Sequence, residues 1–319
     1  MGLYKECAPN GGYTPSFYYI EIDTDVNCSK LNDDQFFQTV AHEYIHFLQD
    51  FFTTYGMTRT ITTYNLISYL YNSNADVISL PLKIDRFFSH NHCAYINDKL
   101  FACYENPIGY NLYGYKINRN EFDEVKLKTT IYSIENMNVQ MYRVCLFKRG
   151  KMVYEFPFGA QAIVECMAHL FEDLLYPDNS MSYSIPYDIP CIIMESILGS
   201  VSSKMLFLIC SASLMGYNAA EMFMMILRKI TQREPITSVT DIDSIIRSHN
   251  SPNKTFRSLY YETKSQLIVA TRNLFNIDND SFNDARDWAI EWLDENGSFE
   301  FLDFLISLFD YPLSIQKEI

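Results

Sequence analysis

The spacing of apolar residues divides the first quarter of the chain into a strand and two helices. The segment PSFYYIEID, around residues 16–23, alternates polar with aromatic and β-branched side chains, which predicts a strand. After a polar stretch, apolar residues recur at helical spacing and predict a helix over residues 33–54 that ends near Gly56. A second helix is predicted over residues 60–71.

The pattern changes twice further along the chain. Residues 75–158 are strand-rich and irregular, and their clearest feature is QMYRVCLFKRGKMVYEFPF, two extended runs around a turn at Arg149 and Gly150. From Gly159 onward, GAQAIVECMAHLFEDLLYP has helical periodicity, and residues 189–308 are mostly helical with polar breaks. The chain is therefore predicted to be α+β, with a mixed subdomain over 1–158, a helical subdomain over 159–319 and a cleft between them.

Composition and charge narrow the class of partner. Hydrophobic residues make up 48% of the 319 positions, which is typical of a globular protein. The formal net charge is -14, so the average surface repels phosphate backbones and anionic lipid head groups. Nucleic acid and membranes are therefore not expected partners.

The N-terminus and the cysteines favour a cytoplasmic protein. The segment MGLYKECAPNGGYTPS lacks a basic region followed by an apolar run, so no secretory signal is expected. The apolar stretch from Met205 lies too close to Lys204 and Glu195 for a membrane span and is predicted to be a buried helix. The eight cysteines are scattered without CxxC pairs, which favours reduced thiols, although their even number is compatible with disulfides.

The segment TVAHEYIHFLQD carries the chemistry. Its residues His42, Glu43 and His46 form the pattern HExxH. Positions i and i+4 lie one turn apart on one helix face, so two imidazoles can converge on one metal ion. Glu43 falls on the same side and is placed to take a proton from water. The alternative is a buried helix that carries two incidental histidines.

The residues around the motif favour the zinc interpretation, because Glu43 is the only charged residue between Thr39 and Leu48. This part of the chain resembles the zincin metallopeptidases, whose fuller pattern is matched at Thr39, Val40, Tyr44, Ile45, Phe47 and Leu48. The resemblance covers about ten residues and the strand before them, and it implies that residues 16–23 border a substrate cleft. One subgroup, the metzincins, is excluded, because metzincins have glycine and a third histidine where this chain has Gln49 and Phe52.

A more distant third ligand is then needed, as in gluzincins, where a glutamate on a later helix completes the site. Glu165 is the candidate, because it is a carboxylate on an otherwise apolar helix. The alternative for Glu165 is an ion pair with a lysine or arginine. His169, one turn after Glu165, could support a ligand, stabilise the transition state or be the third ligand itself. Tyr154 is a second candidate for stabilising the transition state.

The resemblance implies a zinc-dependent metallopeptidase that hydrolyses peptide bonds in a protein or peptide substrate. Zn2+ would be held by His42, His46 and Glu165, with Glu43 as general base. Two alternatives stay open, namely a zinc hydrolase with a non-peptide substrate and a binding or scaffold protein with a structural or vestigial zinc site. The loop SHNHCAY, with two histidines and Cys93, is more typical of a polar loop than of a second metal site.

Overall fold

The computed structural model describes most of the two halves of the chain. The described residues are 11–14, 16, 18–22, 33–72, 115–134, 137–176, 182–216, 218–230, 236–250, 255–274, 298–311 and several residues between 284 and 295. Residues 75–114, which include the loop SHNHCAY, lie outside them. The strand-rich prediction for 75–158 can therefore be compared with the structure only from residue 115 onward.

The first described elements are a hairpin and the helix against which it packs. β1 (Gly11–Thr14) pairs antiparallel with β2 (Tyr19–Ile22), and both strands contact α1 (Asp33–Phe52). The predicted strand over 16–23 is therefore shorter than expected. Ser16 and Tyr18 have φ angles of 68° and 54°, which belong to a turn, so the extended run starts only at Tyr19.

Gly56 does not end the first helix as the sequence predicted. α1 ends at Phe52, and α2 (Thr54–Asn72) begins two residues later, with Gly56 inside its first turn. A Cβ atom on Gly56 would lie 2.2 Å from the carbonyl oxygen of Gln49. The glycine is therefore needed because the backbones of α1 and α2 touch at this point.

A three-stranded sheet leads into the second half of the chain. β4 (Glu124–Ile134), β5 (Met137–Lys148) and β6 (Lys151–Phe158) are antiparallel in the order β4-β5-β6. Arg149 and Gly150, with φ angles of 50° and 74°, form the predicted turn between β5 and β6. A separate pair joins β3 (Tyr115–Asn118) with β7 (Ser182–Ile185), a strand that the helical pattern did not predict.

The second half is helical, as predicted. It contains α3 (Ala160–Leu175), α4 (Ile189–Leu198), α5 (Ser203–Ser213), α6 (Ala219–Ile230), α7 (Val239–Asn250), α8 (Phe256–Leu274) and α9 (Phe301–Ser307). One hydrophobic core draws on α1, α2, the sheet and these helices. The fold is thus a mixture of helices and small antiparallel sheets, consistent with the α+β prediction.

The apolar stretch from Met205 forms α5, and its residues 206–213 are buried as expected. Among the described helices, no single one is long and apolar enough to cross a membrane. One bent pair, α4 and α5, meets the length and composition criteria when the two helices are taken together, at an angle of 111°. The cysteines among the described residues are free thiols, namely Cys145, Cys166, Cys191 and Cys210.

Candidate metal centre

Three side chains from α1 and α3 converge on one point. His42 and His46 lie one turn apart on α1, and Glu165 faces them from α3, which packs against α1. Nε2 of His42 lies 3.3 Å from Nε2 of His46. Oε2 of Glu165 lies 3.4 Å from the first of these nitrogens and 3.5 Å from the second. The three atoms therefore form a nearly equilateral triangle.

The size and chemistry of this triangle fit a metal ion. Metal–ligand distances of 2.0–2.2 Å in a tetrahedral zinc site place neighbouring ligand atoms about 3.3 to 3.6 Å apart. The three measured separations fall in that range. Two imidazole nitrogens and one carboxylate oxygen are also a donor set typical of zinc hydrolases. Within the described residues the group of potential ligands consists of these three side chains.

The outer nitrogens of both histidines are fixed by hydrogen bonds. Nδ1 of His42 lies 3.0 Å from Oε2 of Glu172, two turns after Glu165 on α3. Nδ1 of His46 lies 2.9 Å from Oε1 of Gln49. Because a carboxylate or amide oxygen only accepts, both Nδ1 atoms carry hydrogen and both Nε2 atoms face the triangle. This is the arrangement that orients metal-binding histidines.

Glu43 lies beside the triangle without belonging to it. Its side chain is buried, and the backbone N–H of Tyr13 in β1 donates to its carboxylate. Burial raises the pKa of Glu43 above its usual value, while the two histidines act in the opposite direction. A buried carboxylate with a raised pKa suits a group that accepts a proton and later returns it.

The charges of the metal-free site balance one another. Burial alone would lower the pKa of His42, but hydrogen bonds and charges from Glu165 and Glu172 outweigh it and raise the pKa to about 10. Burial also opposes the shift at Glu172, yet its bonds to His169 and His42 lower its pKa to about 2. The pKa of Glu165 is lowered by the two facing histidines despite burial. Without metal, the site is therefore an imidazolium–carboxylate cluster.

A buried aspartate ties the hairpin and the first two helices together. Asp50, which is fully buried on α1, accepts hydrogen bonds from the hydroxyl of Tyr13 at 2.7 Å and from the backbone N–H of Ser16 at 2.9 Å. Its other oxygen lies 2.8 Å from a guanidinium nitrogen of Arg59 on α2. Because Tyr13 also contacts Glu43, this network places β1 next to the proposed base.

The remaining predicted residues lie in different places. His169 is near the centre, with Nδ1 3.5 Å from Glu172 and Nε2 3.5 Å from Asp173. Tyr154 donates its hydroxyl to Glu121 at 2.5 Å, on the 3-10 turn after β3. The role of either residue in catalysis stays a prediction.

Sequence reasoning gave no role to four residues of this region. Two of them carry a signal in the sequence. Glu172 shares a helix face with Glu165, and Gln49 lies three residues after His46 on the same helix. Tyr13 could not be found, since it reaches Glu43 only through the fold. Tyr187 likewise had no signal, although its ring centroid lies 5.8 Å from that of His42 and 5.3 Å from that of His169.

Comparisons with models of known protein families, with curated proteins and with solved structures found no match to this chain.

Proposed function

We propose that this protein is a zinc-dependent metallopeptidase with a zincin-like centre, in which His42, His46 and Glu165 hold the metal. The observation that carries the proposal is the triangle of two Nε2 atoms and one carboxylate oxygen with sides of 3.3, 3.4 and 3.5 Å. It brings together an HExxH helix and a glutamate 119 residues after His46 (165 - 46 = 119). Three ligands of this kind are the protein half of a catalytic zinc site.

Zinc held by His42, His46 and Glu165 would act as a Lewis acid, which would polarise a carbonyl group and lower the pKa of water. Glu43 then acts as general base, removing a proton from water and delivering it to the leaving amine. The backbone N–H of Tyr13 donates to the Glu43 carboxylate and so favours its charged form. Glu172 and Gln49 keep the two histidines oriented while the charge at the centre changes.

A peptide substrate is supported by the strand beside the base. β1 contacts α1, and within the described residues it pairs only with β2, so its other edge has no strand partner there. An extended peptide can pair with such an edge through its backbone. Because Tyr13 of β1 contacts Glu43, a peptide held on this strand would pass close to the base. The strand that contacts Glu43 is therefore β1, which comes before the segment 16–23 that the resemblance placed at the substrate cleft.

The buried base argues against a purely structural zinc site. A structural site is normally closed by a fourth protein ligand, whereas the described part of the chain brings three ligands and one neighbouring carboxylate together. Burying the Glu43 carboxylate is unfavourable, and groups whose pKa is perturbed by such burial are found most often at functional sites. These two features favour hydrolysis over a scaffold role.

The proposal is tested first by the metal content of wild type, Glu43→Gln, His42→Ala and Glu165→Ala. Elemental mass spectrometry should find about one zinc per chain in wild type and Glu43→Gln, and little in the two ligand variants. Each metal-loaded protein is then incubated with a peptide library and with ester and amide substrates that are not peptides. Peptide cleavage by wild type should fall at least about 100-fold in Glu43→Gln.

Three results would contradict the proposal. Wild type that takes up no zinc would leave TVAHEYIHFLQD as an ordinary buried helix. Zinc uptake with cleavage of non-peptide substrates alone would indicate another class of zinc hydrolase. Zinc uptake with equal peptide cleavage by wild type and Glu43→Gln would assign the cleavage to a contaminant.

A further inference from the structure

Gln49 lies where the two ligand-bearing helices touch. It is on α1, three residues after His46, and it is 2% exposed. Its Nε2 donates to the carbonyl oxygen of Val164 at 2.9 Å, and its Oε1 lies 2.9 Å from Nδ1 of His46. Val164 directly precedes Glu165 on α3. One side chain therefore joins the second histidine to the backbone next to the third ligand.

The Val164 carbonyl determines which way round the amide of Gln49 lies. A carbonyl oxygen only accepts hydrogen bonds, so Gln49 turns its NH2 group toward Val164 and its oxygen toward His46. That oxygen can only accept, so Nδ1 of His46 carries a hydrogen, and Nε2, which lies toward Glu165 and His42, is the nitrogen left to bind a metal ion. An apolar side chain of similar size could fill the space but could not select this tautomer.

The backbone of Gln49 is held from a third side. The hydroxyl of Thr53 donates to the carbonyl oxygen of Gln49 at 2.7 Å. Gly56 of α2 packs against the same oxygen so closely that no side chain fits between them. The backbone of Gln49 is thus held against α2 while its side-chain amide binds α3, so the position of Gln49 relative to both helices is fixed.

We propose that Gln49 is a positioning residue of the metal centre, which sets the tautomer and ring orientation of His46 and holds His46 in register with Glu165. The inference rests on the proposed metal site and adds to it a residue outside both the HExxH motif and the ligand triangle. Gln49 is not itself a ligand, because its oxygen is occupied by His46. Loss of its amide should loosen the metal without removing any donor atom.

The test measures zinc dissociation constants and cobalt(II) absorption spectra for wild type, Gln49→Leu and Gln49→Asn. Gln49→Leu loses both hydrogen bonds, and Gln49→Asn keeps an amide that is one methylene too short to span them. We expect zinc to bind about 10- to 100-fold more weakly to Gln49→Leu and about 10-fold more weakly to Gln49→Asn. The cobalt bands should shift in both variants, because the His46 ring changes its orientation.

Thr62→Val is the matched control. The hydroxyl of Thr62 is buried on α2 and donates to the carbonyl oxygen of Thr58 at 2.9 Å, away from the ligands. Its loss removes a buried hydrogen bond and should leave the cobalt spectrum unchanged and the zinc dissociation constant within about twofold.

Wild-type zinc affinity and an unshifted cobalt spectrum in Gln49→Leu would overturn the inference, and so would an equal loss of affinity in Thr62→Val. If Gln49→Leu does not fold, Gln49→Asn decides alone, since weaker zinc with shifted bands supports the role and wild-type values exclude it. Failure of the proposed function is a different result, because it is seen in wild type as missing zinc or missing peptide cleavage.

Discussion

The carboxylate of Glu172 accepts the hydrogen on Nδ1 of His42 at 3.0 Å, although the two residues lie 130 positions apart in the chain. Glu172 is seven residues after Glu165 on α3, nearly two full turns, so both carboxylates point toward α1. Glu165 contacts Nε2 of His42, and Glu172 contacts Nδ1 of the same ring. α3 thus provides the third ligand and the support for the first.

This relationship predicts the effect of Glu172→Ala. The variant leaves every ligand atom in place but frees the His42 ring to rotate, so zinc should bind about 10- to 100-fold more weakly. Asp173→Ala is the matched control, because Asp173 lies 3.5 Å from Nε2 of His169 and is adjacent in the sequence. Competition with a chelator gives both dissociation constants. Equal values for the two variants would show that Glu172 contributes only general charge.

Zinc binding should release protons near neutral pH. In the metal-free protein burial lowers the pKa of His42, but Glu165 and Glu172 outweigh burial and raise this pKa to about 10. His42 is therefore protonated at pH 7, and its Nε2 must lose that proton to bind metal. The apparent dissociation constant should fall about tenfold per pH unit, for each proton released, as the pH rises from 6 to 8.

Calorimetry in buffers of different ionisation enthalpy measures this proton release directly. His169→Ala is a useful comparison, because it leaves the three ligand residues intact and should still release the proton from His42. Binding without any proton release would mean that His42 is neutral before the metal arrives.

The local parts of this structure could be predicted from the sequence, and the relations between distant segments could not. HExxH spacing places His42 and His46 together through helix geometry alone, and the apolar surroundings of Glu165 signal a carboxylate that needs a partner. The contact of Tyr13 with Glu43 depends on where the hairpin packs, which no local pattern encodes. β7 was not predicted for the same reason, since its four residues form a strand only by pairing with β3.

The prediction that a helix ends near Gly56 was wrong. Glycine near the end of an apolar run usually stops a helix, so the sequence predicted a helix end there. In the structure Gly56 is helical, because the requirement at this position is for space rather than for backbone freedom.

Gly56→Ala should therefore destabilise the protein strongly. A methyl group 2.2 Å from the Gln49 oxygen forces α2 away from α1, and we expect a loss of about 3 kcal/mol in the free energy of unfolding. Gly150→Ala is the control, since its φ of 74° in the turn between β5 and β6 strains any side chain but no atom lies within 4 Å of the added Cβ. That variant should lose only about 1 kcal/mol. Denaturant unfolding of the two proteins provides the comparison.

The final prediction concerns the group that stabilises negative charge on the substrate carbonyl. The sequence predicted Tyr154, whose hydroxyl donates to Glu121, whereas the ring of Tyr187 lies near the rings of both His42 and His169. If Tyr187 donates to the carbonyl oxygen, Tyr187→Phe should lower kcat for a cleaved peptide about 100-fold, with KM and zinc content nearly unchanged. Tyr154→Phe removes a hydroxyl of the same chemistry on β6 and should lower kcat less than about threefold. The reverse order of effects would restore Tyr154 as the donor and limit Tyr187 to packing against the histidine rings.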